Sequence, residues 1–184
     1  MRAIFAAAAL LAGVATLTGC SDSGPASYPN PGQTVREHEK ALPGKTITIG
    51  EVDYAGIGLL TDIVSVTGSH ADVPAKGRYA RVRIMMTNRG RDRHDLDLNK
   101  QFLVTRDGKT YKISYDAMQV ARGPATPFSI ARDEVRSFDL WYDIPVGAKV
   151  KALRITGDAS SSKLSDQLAG KQAGPATKDL PLDG

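Results

Sequence analysis

The sequence predicts an all-β fold, an antiparallel β-sandwich, and three observations carry that expectation. The stretch Gly77 to Gly90 alternates, with Ala80, Val82, Ile84 and Met86 on one side and Tyr79, Arg81, Arg83, Met85 and Thr87 on the other. That period of two is what a strand needs when one face lies on a core and the other meets water. About seven such segments follow one another with turn residues between them and no long amphipathic helix, the pattern of a sandwich of roughly 110 residues. The dipeptide Asp107-Gly108 sits between two apolar runs, a local signal for a tight hairpin.

The chain begins with Met1-Arg2 and the apolar run Ala3 to Leu17, a charged segment followed by a stretch too short to span a bilayer comfortably. Leu17-Thr18-Gly19-Cys20 ends it and resembles the bacterial lipobox. Residues 1–19 are therefore expected to be a lipoprotein signal peptide, and Cys20 the lipidated residue. Cys20 is the single cysteine of the sequence. As an anchor it leaves no thiol for a disulfide, a metal or catalysis, and two or more acyl chains hold a protein stably on a membrane. Residues 20–45, rich in Ser, Pro and Gly, carry no apolar period and are expected to form a flexible tether. Thr34 to Leu42 reads as a short, weak helix ended by Pro43-Gly44.

The sandwich is expected to occupy residues 46–157. Thr46 to Val52 reads as its first strand, Gly56 and Gly58 as a break, and Leu59 to Thr67 as the second strand. Gly68 to Gly77, with Pro74, reads as a polar connection into the alternating strand. Gln101 to Thr105 and Thr110 to Ile113 form the hairpin. With Asp107 and Gly108 as a type I′ loop, Val104 faces Tyr111 and Phe102 faces Ile113. Ser114 to Arg132 is irregular, Val135 to Ile144 and Val150 to Thr156 are strands, and residues 158–184 read as a disordered tail, with one frayed helical turn near Leu164 to Leu168. Trp141 falls on the polar side of its strand, which suits packing under a loop or lining a surface patch.

In this order, Gly77-Arg78-Tyr79-Ala80-Arg81-Val82-Arg83-Ile84 with Thr87-Asn88, then Phe102-Leu103-Val104 with Asp107-Gly108-Lys109-Thr110-Tyr111, then Leu140-Trp141-Tyr142-Asp143-Ile144-Pro145, resemble a family of bacterial lipoproteins and secreted proteins of unknown function. That group is related to a secreted immunogenic mycobacterial antigen. Its members are sometimes labelled telomeric-repeat-binding-factor-like, and nothing in this sequence supports telomere binding. The resemblance implies an immunoglobulin-like domain and a cell-surface setting, with no catalytic residues to carry over. Tyr142, where phenylalanine is common, and the long Ser114 to Arg132 segment depart from the pattern.

The formal charge of +4 is mild and no run of five like charges occurs, which argues against a nucleic-acid partner. His38, His70 and His94 lack a neighbouring Gly-x-Ser-x-Gly elbow, and Ser160-Ser161-Ser162-Lys163 lies in the tail without the companion motifs of penicillin-recognising enzymes. No catalytic residue is assigned. Asp95, Asp97 and Asn99 imitate the start of a calcium loop, but Lys100 stands where glycine is required and Arg106 where glutamate is. Met85, Met86, His94 and Met118 lack the close Met-x-Met or His-x-Met pairing that would suit Cu(I). No metal or cofactor is assigned.

Arg81, Arg83, Arg89, Arg91 and Arg93 make the most distinctive surface feature, a candidate contact for anionic headgroups, wall polymers or an acidic partner. Phe128 in the long loop is the other candidate contact. The competing reading is a solvated edge, blunted by charge and neutralised by Asp92, Asp95 and Asp97. The expected protein is a non-catalytic interaction module on the extracytoplasmic face of the cell membrane. It would be held there through Cys20 and meet a protein or envelope-polymer partner. An envelope small-ligand or metal carrier, and an accessory subunit of an envelope enzyme or transporter, are the alternatives.

Overall fold

The alternating strand ends up in the middle of a sheet with both its faces covered. The computed structural model describes residues 31–158 and 175–183. Its strands are β1 (Lys40–Ala41), β2 (Thr46–Ile49), β3 (Val52–Thr67), β4 (Asp72–Asn88), β5 (His94–Leu96), β6 (Phe102–Thr105), β7 (Thr110–Tyr111), β8 (Phe128–Ile130), β9 (Val135–Ile144), β10 (Val150–Thr156) and β11 (Thr177–Pro181). A 3-10 turn spans Leu98–Lys100, and a short helix α1 spans Tyr115–Val120.

All strand pairs are antiparallel. One sheet runs β1-β3-β4-β9, with β2 also on the free edge of β3; a second runs β11-β10-β6-β7, and β5 pairs with β8. On β4, Ala80, Val82, Ile84 and Met86 are all fully buried, in one cluster with Leu103, Leu153, Ile155 and Leu180 of the second sheet. Each of the larger side chains, Val, Ile, Leu and Met, contributes about 1.5–3 kcal/mol by leaving water. The architecture is the antiparallel β-sandwich that the alternation required.

Several expectations are corrected. The outer face of β4 does not stand in water: Tyr79, Arg83, Met85 and Thr87 are buried. The cover comes from α1 and from residues that were expected to be tether. Residues 33–42 form an extended strap with a turn at His38, whose φ is 64°. The strap ends as β1, pairing Lys40 with Leu59 and Ala41 with Gly58. Pro43-Gly44 turns the chain, and Leu42 beside it is buried. The folded part therefore starts before Thr46, and Thr34 to Leu42 is not a helix. Its last residues, Lys40 to Leu42, find backbone partners on the edge of β3, which a short isolated helix cannot match.

Gly56 and Gly58 do not break β3, which runs through them with a register shift between the two. Pro74 likewise lies inside β4, opposite Ser65. There β4 has no second neighbour, since pairing with β9 begins at Arg78, so the missing N–H of proline costs nothing.

The hairpin register is one residue away from the expected one: Leu103 faces Tyr111 and Val104 faces Thr110. Gly108 has φ 83° while Asp107 does not adopt a positive φ, so a type I′ loop is not formed. The Thr105 N–H donates to the Lys109 carbonyl and the Gly108 N–H to the Thr105 carbonyl. This is a three-residue loop with glycine in the left-handed position. The Asp107 carboxylate accepts from the Thr105 hydroxyl, and that bond, followed by bonds to Lys109, holds its pKa below the usual range.

The Ser114 to Arg132 segment is more ordered than expected. Ser114 caps α1, and Phe128–Ile130 forms β8 against β5. The tail is corrected too: Thr177–Pro181 pairs along the whole of its length with β10, and Leu180 and Leu182 are fully buried. Cys20, the lipobox, Ser160 to Lys163 and Leu164 to Leu168 lie outside the described residues.

An arginine-lined groove on the outer face

The strap is held by a small ionic network built on one row of the sheet. Gly58, Arg83 and Asp139 stand opposite one another on β3, β4 and β9. Gly58 leaves room there, because a Cβ would come within 2.7 Å of Glu39 Oε2. Glu39, whose side chain is fully buried, accepts from Arg81 Nη2 at 2.9 Å and from Arg83 Nη2 at 3.0 Å through Oε1. Its Oε2 accepts from the Arg36 backbone N–H at 2.9 Å. Asp139 accepts from Arg83 Nε at 3.1 Å and from Arg36 Nη1 at 2.7 Å. Charge-assisted bonds of this kind are the strong ones, and a buried guanidinium requires them.

Beside this network the outer face opens into a groove of about 490 Å³. Gln33 and Arg36 of the strap form one wall, and Ala121 to Pro124, after α1, form another. Arg83, Arg136, Ser137, Phe138, Asp139, Trp141 and Phe128 complete it, so that four arginines and a single carboxylate line the opening. Arg122 donates to the Ser69 hydroxyl, and Arg136 donates to Glu134 at 2.8 Å. The Ala131 N–H, and after it Arg136, hold the Glu134 carboxyl below the usual range. Phe128 packs on Phe138 with ring centres 4.6 Å apart, and the Arg136 guanidinium lies over Phe128.

Trp141 forms part of the floor. It is buried, meets Tyr79 edge to face at 6.1 Å, and carries the Arg81 guanidinium over its ring. Its indole N–H is buried and has no acceptor among the described residues. The groove thus offers guanidinium groups from four separate elements around an aromatic base, without a nucleophile and base in hydrogen-bond reach of each other along its lining.

The residues singled out from the sequence are divided by the fold. Arg83 and Phe128 line the groove, and Arg81 touches its floor through Trp141. Arg81 and Arg83 are committed to Glu39 and Asp139 rather than presented to solvent, which corrects the expected arginine face. Arg89 pairs with Asp53, Arg93 reaches Ser129 and Asp95, and Arg91 is exposed; none of these three lines the groove. Arg36, Arg122 and Arg136 were missed. Arg36 was assigned to the tether, and the other two stand alone in sequence, so only the fold gathers them.

The metal candidates are dispersed in role. Asp97 caps the 3-10 turn by accepting from the Asn99 N–H, Asp95 lies on β5, and Met86 belongs to the core. His94 is buried on β5, with Nδ1 3.1 Å from Asp158. Among the described residues no group of His, Cys, Asp or Glu is arranged to hold a metal ion, and no helix is long and apolar enough to cross a membrane.

An antiparallel β-sandwich with an open cationic groove on its outer face is the class of protein these features define. The chain belongs to the family described as Domain of unknown function (DUF4352), whose model matches residues 43–165. Gln33, Arg36 and Glu39 precede the matched region and β11 follows it.

Among solved structures, the yjhA protein of Bacillus subtilis is similar at 13% identity and a TM-score of 0.55, over 78% of this chain and 100% of that one. A candidate lipoprotein, ycdA of Bacillus subtilis, aligns at 15% identity and 0.47, over 82% of this chain and 39% of that one. The secreted protein MPT63 of Mycobacterium tuberculosis aligns at 16% and 0.38, over 63% and 86%. At such identities the likeness concerns the fold alone. No curated protein matches the chain.

Proposed function

We propose that this protein is a non-catalytic interaction module held at the extracytoplasmic face of the cell membrane through a lipid on Cys20, and that it engages a negatively charged component of the envelope. The observation that carries the reading is the groove, where four arginines and one aspartate surround an open space with an aromatic base. Guanidinium groups present forked donors suited to carboxylate and phosphate oxygens, and clustered like charge steers anionic partners toward the site. The lipobox at Leu17 to Cys20 supports the location.

The groove replaces the strand face as the place of contact, because Arg81 and Arg83 are occupied in holding the strap. The test is a crosslinked pull-down from native membranes with the full chain, comparing wild type with the double substitution Arg122→Gln and Arg136→Gln. Partner recovery is expected to fall at least tenfold in the double variant. Undiminished recovery of the same partner would remove the groove from the account.

A further inference from the structure

We infer that the groove receives the phosphate of anionic lipid headgroups in the leaflet that holds the chain's own anchor. This inference rests on the reading of Cys20 as that anchor, and it names the charged partner of the groove just described. Arg36 comes from the strap, Arg122 from the segment after α1 and Arg136 from β9, so donors approach one space from three elements. The phosphodiester of a headgroup is tetrahedral, its two charged oxygens and two ester oxygens pointing out of any common plane. Donors can therefore approach it from several sides, whereas a planar carboxylate accepts best in its own plane. Trp141 lines the same groove, and its buried indole N–H has no acceptor among the described residues.

Chain length argues for the membrane as the source of that phosphate. Gln33, on the groove wall, is thirteen residues after Cys20 in the sequence. Thirteen residues reach at most about 45 Å when fully extended, so the groove wall stays within that distance of the leaflet. Phosphates are dense at such a surface, and basic residues brought near it add binding to a lipid anchor. The carboxylate lining the space is Asp139, which is engaged by Arg36 and Arg83; Glu134, outside the lining, is engaged by Arg136.

Trp141 is the only tryptophan of the sequence and lies in the groove, so its fluorescence reports on the site directly. The full chain, purified from membranes, is reconstituted into phosphatidylcholine vesicles with or without phosphatidylglycerol, and acrylamide quenching of Trp141 is measured. Phosphatidylglycerol is expected to reduce quenching severalfold, and high salt or the double substitution Arg122→Gln and Arg136→Gln to restore it. Each arginine lost should weaken vesicle affinity about fivefold. Equal quenching in both vesicles overturns the proposal. Equal protection by free glycerol phosphate at matched phosphate overturns the membrane assignment and makes the ligand a soluble phosphate.

The mass of the N-terminal peptide reports the anchor separately. Without a lipid on Cys20 the anchor reading fails, while sedimentation with phosphatidylglycerol vesicles still decides the groove. Thermal unfolding monitored by circular dichroism confirms that the double variant is folded.

Discussion

Glu39 holds two guanidiniums and a backbone N–H with one carboxylate, and its side chain is fully buried while doing so. Removing one partner of a buried ionic set leaves the others desolvated and unpaired, which costs far more than the set contributes as a whole. Glu39→Ala is therefore expected to destabilise the domain by about 3–5 kcal/mol, read as a lowered midpoint in urea unfolding, and to free the strap to proteolysis. A change below about 1 kcal/mol would mean that the strap is not held by this network. The residue itself could not be singled out from the sequence. Among polar, Pro-rich neighbours a buried glutamate reads like any solvated one, because its guanidinium partners lie more than forty positions away. Arg81 and Arg83 were legible as unusual, since charges on a strand invite a question. The answer lay in residues 36–39 and in Asp139, which only the folded chain supplies.

At the scale of elements, the strand periodicities of β4, β9 and β10 were readable because polar and apolar side chains alternate along them, a period that persists on β4 even though both its faces are covered. Turn geometry was less so. Asp-Gly serves both a two-residue and a three-residue loop, and the choice here followed from the bonds of Thr105, Asp107 and Lys109 rather than from the dipeptide. β11 was not readable, since Thr177–Pro181 is mostly polar and only Leu180 and the following Leu182 enter the core.

β11 is tied to β10 by Asp179 and Arg154, with bonds of 2.8 and 2.9 Å. The Arg154 guanidinium holds the Asp179 carboxyl below its ordinary value of 3.8 and is itself pushed up. A carboxyl depressed in the folded state favours folding above its unfolded value, and that contribution disappears as pH falls through the folded one. Amide protection along β11 is thus expected to be constant from neutrality to about pH 5 and to decline below about pH 4, earlier than protection along β4. Hydrogen exchange at a series of pH values checks this. Simultaneous loss in β11 and β4 would show that β11 does not open separately.

For the whole molecule, the sandwich serves to hold distant residues in one place. Gln33 and Arg36, Arg122, Arg136 and Trp141 are scattered over more than a hundred positions and meet in one groove. A sandwich suits this, because outer-face strand residues keep fixed register while connecting segments close over them. The sequence pointed to segments that border the groove, the long loop and the arginine-bearing strand, but not to their junction. The reason is physical: charge clusters are local in sequence at Arg89 to Arg93, where the fold neutralises two of them with Asp53 and Asp95, and nonlocal in the groove.

The most direct measurement places a photo-crosslinking side chain at Pro124, on the groove wall, and at Lys151, exposed on β10 of the other sheet. With the full chain in native membranes, Pro124 is expected to yield adducts to anionic envelope material that raised salt suppresses, and Lys151 none. Equal adducts from both positions, or adducts from Lys151 alone, would contradict the account.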